Sequence, residues 1–304
     1  MSSLLSPALR YFLEVVRSGS IRLASERLHV APSAISRQIV LLEREVGAPL
    51  LIRTRRGVLP TEQGRIVATY GNRIGRGAER LRNSLDDLGQ VRRGRVSIAT
   101  VEGMLNRGLP DTLVSLRVAH PGVSVSVQVA GTHEVAEAVL RENVEIGIAF
   151  ETPRRSELLL RQRWAQPLQA VMRGDHPLAH RKTLTVGEIL THPHALPDRT
   201  FGIRMLTERA AAETGGMVAP VAETNSIDLC RSLARSGAYV TVLPPIATAG
   251  ETGASSLHMI PIADPIMRSA TMDVFTAHSR PLSRAAETLL AYLKRRIDEQ
   301  PEAF

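Results

Sequence analysis

Apolar residues recur at helical spacing through roughly the first 90 positions, and strand-like runs dominate only after that. Ser6-Pro7 reads as a cap followed by proline at the first helical position. Leu9, Phe12, Leu13 and Val16 then repeat until Gly19 stops the helix. Ser20 caps a second helix with Ile21, Ala24 and Leu28 on its apolar face, small Ala24 permitting a close neighbour. After the short link His29-Val30, Pro32 opens a third helix. Ile35, Ile39, Leu42 and Val46 share one stripe there and form its core face. Ser33, Ser36, Arg37, Val40 and Arg44 fall on another stripe, short and polar in its first half, which faces outward. Two helices joined so tightly suggest a helix-turn-helix.

Between Gly47 and Thr61, "APLLIRTRRGVLP" places Arg55-Arg56-Gly57 at a hairpin tip. Thr61 is a good cap, and no proline interrupts the chain from Glu62 to about Gln90. Ile66, Tyr70, Ile74, Ala78, Leu81, Leu85 and Leu88 recur there every three or four residues. At ~1.5 Å per residue such a helix spans roughly 40 Å, too long to be covered by a small domain, so its stripe needs a partner. A second copy of the same helix is the natural one, and packing on the C-terminal part of the chain is the alternative.

After the basic hinge "RRGR" the pattern changes. Val96–Thr100, Val123–Val129 and Val144–Phe150 read as strands, with helices at Leu105–Val118 and His133–Arg141, a βαβαβ order that implies a parallel sheet. A second set has strands near Leu168–Arg173, Val218–Glu223 and Ala238–Leu243 and helices near Arg204–Ala212 and Ile227–Ser236. The strand at Ser269–Ala277 and the helix at Leu282–Ile297 return to the first set. Two similar lobes crossed twice by the chain imply a cleft between them, like that of the periplasmic binding proteins.

The 304-residue chain is 43% hydrophobic and 22% charged, values that exclude a largely disordered protein and favour more than one domain. No apolar run approaches a membrane span, and Met1–Leu9 lacks the pattern of a signal peptide, so the expected location is cytoplasmic. Cys230, the only cysteine, excludes an internal disulfide. It shares the apolar side of a helix with Ile227 and Leu233 and reads as core. Charge is unevenly distributed. Residues 1–95 carry 17 Arg, no Lys and 8 acids, a balance of +9, and residues 96–304 a balance of −1. A basic N-terminal third on a neutral remainder suggests a polyanion-binding module, the alternative being a solvated basic surface with no partner; with the helix-turn-helix reading the expected polyanion is double-stranded DNA. Proline at the start of the third helix leaves free amides that donate to phosphate, and Arg37 and Gln38 have donors suited to base edges or phosphates.

The same residues carry a specific resemblance. "YFLEVVRSGSIRLASERLHVAPSAISRQIVLLEREVGAPLLIRTRRGVLPTEQG" resembles the N-terminal domain of the LysR-type transcriptional regulators. The matching positions include Phe12, Gly19-Ser20, Ala24, Leu28, Ser33, Ser36, Arg37, Gln38, Ile39, Leu42, Glu43, Gly47, Leu50, Arg53, Thr61 and Gly64. Leu51 stands where the family has Phe, Leu23 where it has Ala, and Pro60 where Leu precedes the Thr. These exchanges touch packing and the start of the next helix, and leave the outward face intact. "GDHPLA" at Gly174 to Ala179 and "VTVLP" at Val240 to Pro244 resemble the family's effector-binding domain.

The resemblance implies an N-terminal all-α winged helix-turn-helix (1–61), a long linker and dimerisation helix (62–92), and a C-terminal α/β two-lobed, periplasmic-binding-protein-like effector domain (93–304). Its lobe I lies at about 95–163 and 266–304, and its lobe II at about 164–265. The implied DNA-binding residues are Ser20, Pro32, Ser33, Ser36, Arg37 and Gln38, with Arg53, Arg55 and Arg56 in the wing reaching phosphates or the minor groove. Dimerisation through Ile66, Tyr70, Ile74, Leu81, Leu85 and Leu88 follows, with dimers often pairing into tetramers, and contact with the transcription machinery is compatible with this.

A small-molecule effector in the cleft would meet strand ends and helix starts. Thr100, Glu102 and Gly103 follow the first strand, Thr132 the second, and Phe150 ends the third. Thr200 and Phe201 lie opposite, and Asn225 and Ser226 open a helix. Hydroxyls and free amides there suit a carboxylate. Family members often place Ser or Thr at the position of Thr100. Glu102 either occupies helix amides itself, repels an anion, or accepts from a ligand's hydroxyl or amine.

Enzyme readings find little support. Pro193 and Pro177 interrupt the histidine pairs that a metal site would need, and no nucleophile motif, phosphate loop or Cys-x-x-Cys appears. No catalytic residue, metal or cofactor is expected. The alternatives are a solute-binding protein, disfavoured by the N-terminal module, and a sequence-indifferent architectural DNA binder whose C-terminal domain serves assembly rather than ligand binding.

Overall fold

A computed structural model describes residues 5–54, 57–86, 94–249 and 257–299. The chain divides into two compact units, Met1–Leu88 and Gly89–Phe304.

The first unit begins with α1 (Pro7–Ser18), α2 (Ile21–Leu28) and α3 (Pro32–Val46). The Ser6 hydroxyl accepts from the Leu9 amide to start α1, and Gly19 ends the helix at φ 65°, a conformation that a side chain would strain. Ser20 caps α2 in the same way as Ser6 caps α1, accepting from Leu23 N. Phe12 and Val15 of α1, Ala24 of α2 and Ile35, Ile39 and Leu42 of α3 close a common core with Leu50. Each large side chain so buried contributes about 1.5–3 kcal/mol. Val46, expected on the core face, is instead exposed, because α3 stops at Gly47 (φ 76°) one turn beyond the last core position. The hairpin follows as β1 (Leu51–Thr54) and β2 (Gly57–Pro60), antiparallel, with Thr54 opposite Gly57. The Glu43 carboxylate accepts from the Leu50 and Leu51 amides, and Val58 N donates to Gly19 O, so the hairpin is tied to both α3 and the α1–α2 turn.

Helix α4 (Glu62–Asp86) starts where the Thr61 hydroxyl accepts from Gly64 N. Its inner face is built from small residues that admit neighbours closely. A β-carbon on Gly64 would lie 2.1 Å from the Leu50 carbonyl oxygen, and one on Gly71 would lie 2.8 Å from a Leu9 methyl.

The second unit holds two lobes. In lobe I, β3 (Gly94–Thr100), α5 (Gly108–Ala119), β4 (Val123–Val129), α6 (Thr132–Leu140), β5 (Ile146–Phe150) and β6 (Leu158–Ala165) come first. Lobe II contributes β7 (Gln169–Arg173), α7 (Val186–Leu190), β8 (Ala195–Pro197), α8 (Gly202–Glu213), β9 (Ala222–Thr224), α9 (Ile227–Arg235), β10 (Thr241–Leu243), α10 (Pro245–Thr248), β11 (Leu257–Pro261) and α11 (Pro265–Arg268). The chain then returns to lobe I as β12 (Thr271–Ala277) and α12 (Arg284–Glu299).

The lobe I sheet has the order β4-β3-β5-β12-β6. Its first three strands are parallel, as the βαβαβ pattern predicts, but β12 runs antiparallel to both β5 and β6, so the sheet is mixed. Strand β6 goes beyond the predicted set, since LLLRQRWA does not alternate cleanly; its burial is irregular at a sheet edge. In lobe II, β7 lies between antiparallel β10 and β11, and short β8 pairs in parallel with β9. The two crossings between lobes run side by side, with Gln166 N donating to Ala270 O and Leu168 N to Met267 O.

Gly64→Ala should destabilise the N-terminal unit by about 1–3 kcal/mol, because the new methyl must displace backbone rather than a flexible side chain. Thermal unfolding checks this, and an unchanged midpoint would show that α4 can shift away from Leu50.

Candidate nucleic-acid interface and effector cleft

The stripe of α3 opposite its core is open to solvent. Pro32, Ser33 and Arg37 are exposed, and Ser36 and Gln38 are half-buried, while Ile35 and Ile39 beneath them are covered. Ala31 precedes the helix and offers no side-chain cap, so the first free amide, that of Ser33, is available to an external acceptor. The compact side chains of Pro32 and Ser33 keep the surface low there, and a polyanion can approach the helix end closely. Ser36, Val40, Arg53 and Val58 line a shallow groove of about 80 Å³ between α3 and the hairpin, which brings the first wing arginine beside the recognition stripe. Neither Arg37 nor Arg53 has an ion-pair or hydrogen-bond partner among the described residues. By contrast, Arg17 and Arg27 both pair with Glu14 and are held on the protein. Ser20, expected at the interface, uses its hydroxyl oxygen to cap α2. Arg55 and Arg56 lie outside the described residues.

On α4, Ile66, Tyr70, Ile74 and Leu81 are each more than half exposed. They form one stripe opposite Gly64, Ala68 and Gly71, which face α1 and the hairpin. The unit therefore buries the small side of α4 and leaves the large apolar side open. The side chain of Leu85 and the whole of Leu88 fall outside the described residues.

In the second unit the lobes meet over a small cavity of about 20 Å³, space for one water molecule. Of the expected effector residues, Gly103, Thr132, Phe150 and Phe201 line it. Thr132 Oγ1 donates to Phe150 O, so the only hydroxyl in the lining is already committed. Thr100 does not reach the cavity: strand alternation presents Val101 there instead, and the buried Thr100 hydroxyl has only the carbonyl of Val101, at 3.4 Å. Thr200 and Asn225 also lie off the lining. The Thr200 hydroxyl donates to Asp198 at 2.6 Å. Val101, Gly202, Ile203, Ile227, Pro244, Ile246, Ala247 and Met272 complete the wall. The sequence gives them no distinguishing mark, since apolar residues that line a cavity and those that fill a core follow the same periodicity.

Glu102 sits apart from this wall. It begins a short turn, Glu102–Leu105, after β3 in lobe I, and its carboxylate reaches the start of α9 in lobe II. One oxygen accepts from Ile227 N at 2.7 Å. The other accepts from Asp228 N and the Ser226 hydroxyl, both at 3.1 Å. Of the three roles the sequence left open for Glu102, occupation of the helix amides is the one seen. Close approaches elsewhere in the cleft agree with a shut conformation: a β-carbon on Gly131 would lie 2.7 Å from Thr200 Oγ1, and one on Gly202 would lie 2.7 Å from Phe150 O.

Comparison with known families accounts for both units. The helix-turn-helix model of bacterial regulatory proteins of the lysR family matches residues 7–65, and the LysR substrate binding domain model matches residues 89–298. The chain belongs to the LysR family. It is a LysR-family transcriptional regulator, with a DNA-binding helix-turn-helix and an effector-binding domain. Among relatives, the nitrogen assimilation regulatory protein nac of Klebsiella aerogenes is 29% identical over 85% of this chain and 84% of its own length. The RuBisCO operon transcriptional regulator of Allochromatium vinosum is 26% identical over 88% of this chain and 84% of its own.

Two solved LysR-type folds superpose along nearly the whole chain. A full-length OxyR from Pseudomonas aeruginosa, carrying a single substitution, gives a TM-score of 0.74 at 18% identity, covering 97% of this chain and 96% of that one. Full-length CbnR complexed with its target DNA gives 0.71 at 20% identity, covering 95% and 98%.

His176, His192, His194 and Cys230 pack within the second unit. His176 and His192 pack edge to face with ring centroids 5.3 Å apart, and His194 Nδ1 contacts the His192 carbonyl. No group of three side chains able to hold a metal occurs among the described residues. Cys230 is fully buried on α9, and burial pushes its thiol up to about 12. The neutral thiol therefore persists through the physiological range, and the nucleophilic thiolate forms only as pH rises toward that value. At pH 8, alkylation of Cys230 should be about a thousandfold slower in the folded chain than in urea, the thiolate ratio for a shift from 9.0 to about 12. Equal rates would mean that the thiol is solvent-accessible.

Proposed function

We propose that this regulator binds specific duplex sites as a dimer or dimer of dimers, acts in the cytoplasm, and catalyses no reaction. The observation that carries the proposal is the composition of the exposed stripe of α3: small Ser33 and Ser36 beside Arg37, which has no partner among the described residues, on a helix anchored by Ile35, Ile39 and Leu42. In a major groove, Arg37 would address a base edge and the free Ser33 amide a phosphate, with Gln38 supporting either. Arg53 on the wing would add affinity without sequence choice. The open stripe Ile66, Tyr70, Ile74 and Leu81 supports pairing of two α4 helices, which would set two recognition helices about one duplex turn apart.

The cleft of the second unit is the effector site in this reading. An effector that favours one lobe arrangement over another would shift its population, and this would change the spacing or angle of the paired recognition helices. The solved complex of CbnR with its target DNA supports the DNA-binding part of the reading through shared fold alone.

Arg37→Ala should weaken binding to the cognate site by about 1–3 kcal/mol and relax the preference at one base pair. Arg53→Ala should weaken binding to all sequences alike and reduce the salt slope by about 1. Competition binding against a randomised duplex library, repeated across a salt series, separates the two. Indistinguishable sequence preference and salt slope in both variants would favour a sequence-indifferent architectural role.

A further inference from the structure

The start of α9 is a strong local donor site. Ser226, Ile227 and Asp228 present one hydroxyl and two amide donors at the positive end of a nine-residue helix. A diffusible carboxylate would be a natural occupant of such a site. Here the occupant is Glu102, which comes from the other lobe, more than 120 residues away in sequence, and uses both carboxylate oxygens. Asp228 adds a second negative charge at the same helix start, and Arg231 is directed to it at 2.6 Å. A neighbouring tether closes the same seam: Asn106 Nδ2 donates to Ala247 O at 2.9 Å. What remains beside Glu102 is the small cavity, walled by Val101, Phe150, Phe201, Ile246 and Met272, whose one hydroxyl is already bonded.

We propose that Glu102 is a tethered carboxylate that holds the α9 start in place of a diffusible one, and so determines which molecules the cleft admits. The inference rests on the reading of the cleft as the effector site. With Glu102 in place, the three donors are satisfied, and a free carboxylate would have to displace an acid whose effective concentration is set by its own chain. It would also face the charge of Asp228. The lobes are latched shut by a group that is part of the chain, so closure requires no external anion. An effector of this regulator must then either be uncharged and occupy the apolar side of the cleft, or bind tightly enough to evict Glu102. Removing the Glu102 side chain would create a vacant anion site of the right size for acetate.

The test uses the full-length protein, with acetate titrated against chloride at constant ionic strength and binding followed by calorimetry and by the thermal midpoint. Glu102→Ala should bind acetate at least about tenfold more tightly than the unmodified chain, the ratio expected for one charge-assisted hydrogen bond. Equal acetate affinity in the two proteins, whether measurable or absent in both, overturns the proposal. Should Glu102→Ala fail to fold, Glu102→Gln provides a second measurement. Loss of the charge should speed hydrogen exchange at the Ile227 and Asp228 amides at least about tenfold, and unchanged exchange again overturns the proposal. Acetate that binds Glu102→Ala without altering its DNA binding supports the latch and counts against the effector reading, so the two ideas fail separately.

Discussion

The regulator depends on a single constraint in its first unit: α3 must be held by one stripe and read by the other. Ile35, Ile39 and Leu42 are locked against Phe12, Val15 and Ala24, so the helix cannot roll. With its phase fixed, Ser33, Ser36 and Arg37 have only one direction to face. A charge that pairs internally is unavailable for a duplex, and the contrast between Arg37 and the Glu14-bound Arg17 and Arg27 shows the division along the surface. The hairpin and α4 refer to the same anchor. Glu43, at the far end of α3, accepts the amides that begin the hairpin, and Gly64 lets α4 close onto Leu50.

The second unit solves a different problem. Two lobes joined by paired crossings meet over an apolar cavity wall, and around it the contacts across the cleft are local, and polar or made at glycine. Gly131 against Thr200 and Gly202 against Phe150 are such approaches. The three bonds from Glu102 to the start of α9 are the strongest of the cross-cleft contacts by charge, and they turn what would be a ligand's position into part of the protein.

The first unit is largely legible in its sequence because each element carries its own punctuation. Ser6-Pro7, Gly19, Ser20, Pro32, Gly47 and Thr61 each mark a boundary observed in the structure. Val46 misleads because periodicity continues past the point where a core partner exists. The second unit is legible at the level of strand and helix order, and of the residues that strand ends and helix starts single out, Gly103, Thr132, Phe150 and Phe201 line the cavity. Thr100 lies off the lining because the choice between adjacent residues at a strand end depends on pleat phase, which its flanking apolar residues do not reveal. The antiparallel direction of β12 and the partner of Glu102 are long-range facts, decided by how distant segments meet rather than by local pattern.

If the exposed stripe of α4 pairs two chains, two copies of α3 stand one duplex turn apart, and everything proposed for DNA recognition follows from that spacing. Because Cys230 is buried, a spin label placed at Arg37→Cys reports α3 alone, and pulsed dipolar spectroscopy on the free dimer measures the separation directly. Pairing through α4 predicts one dominant distance in the region of about 34 Å, the half-site spacing of B-form DNA. An absence of any intermolecular distance, or a dominant separation far from one turn, would contradict it.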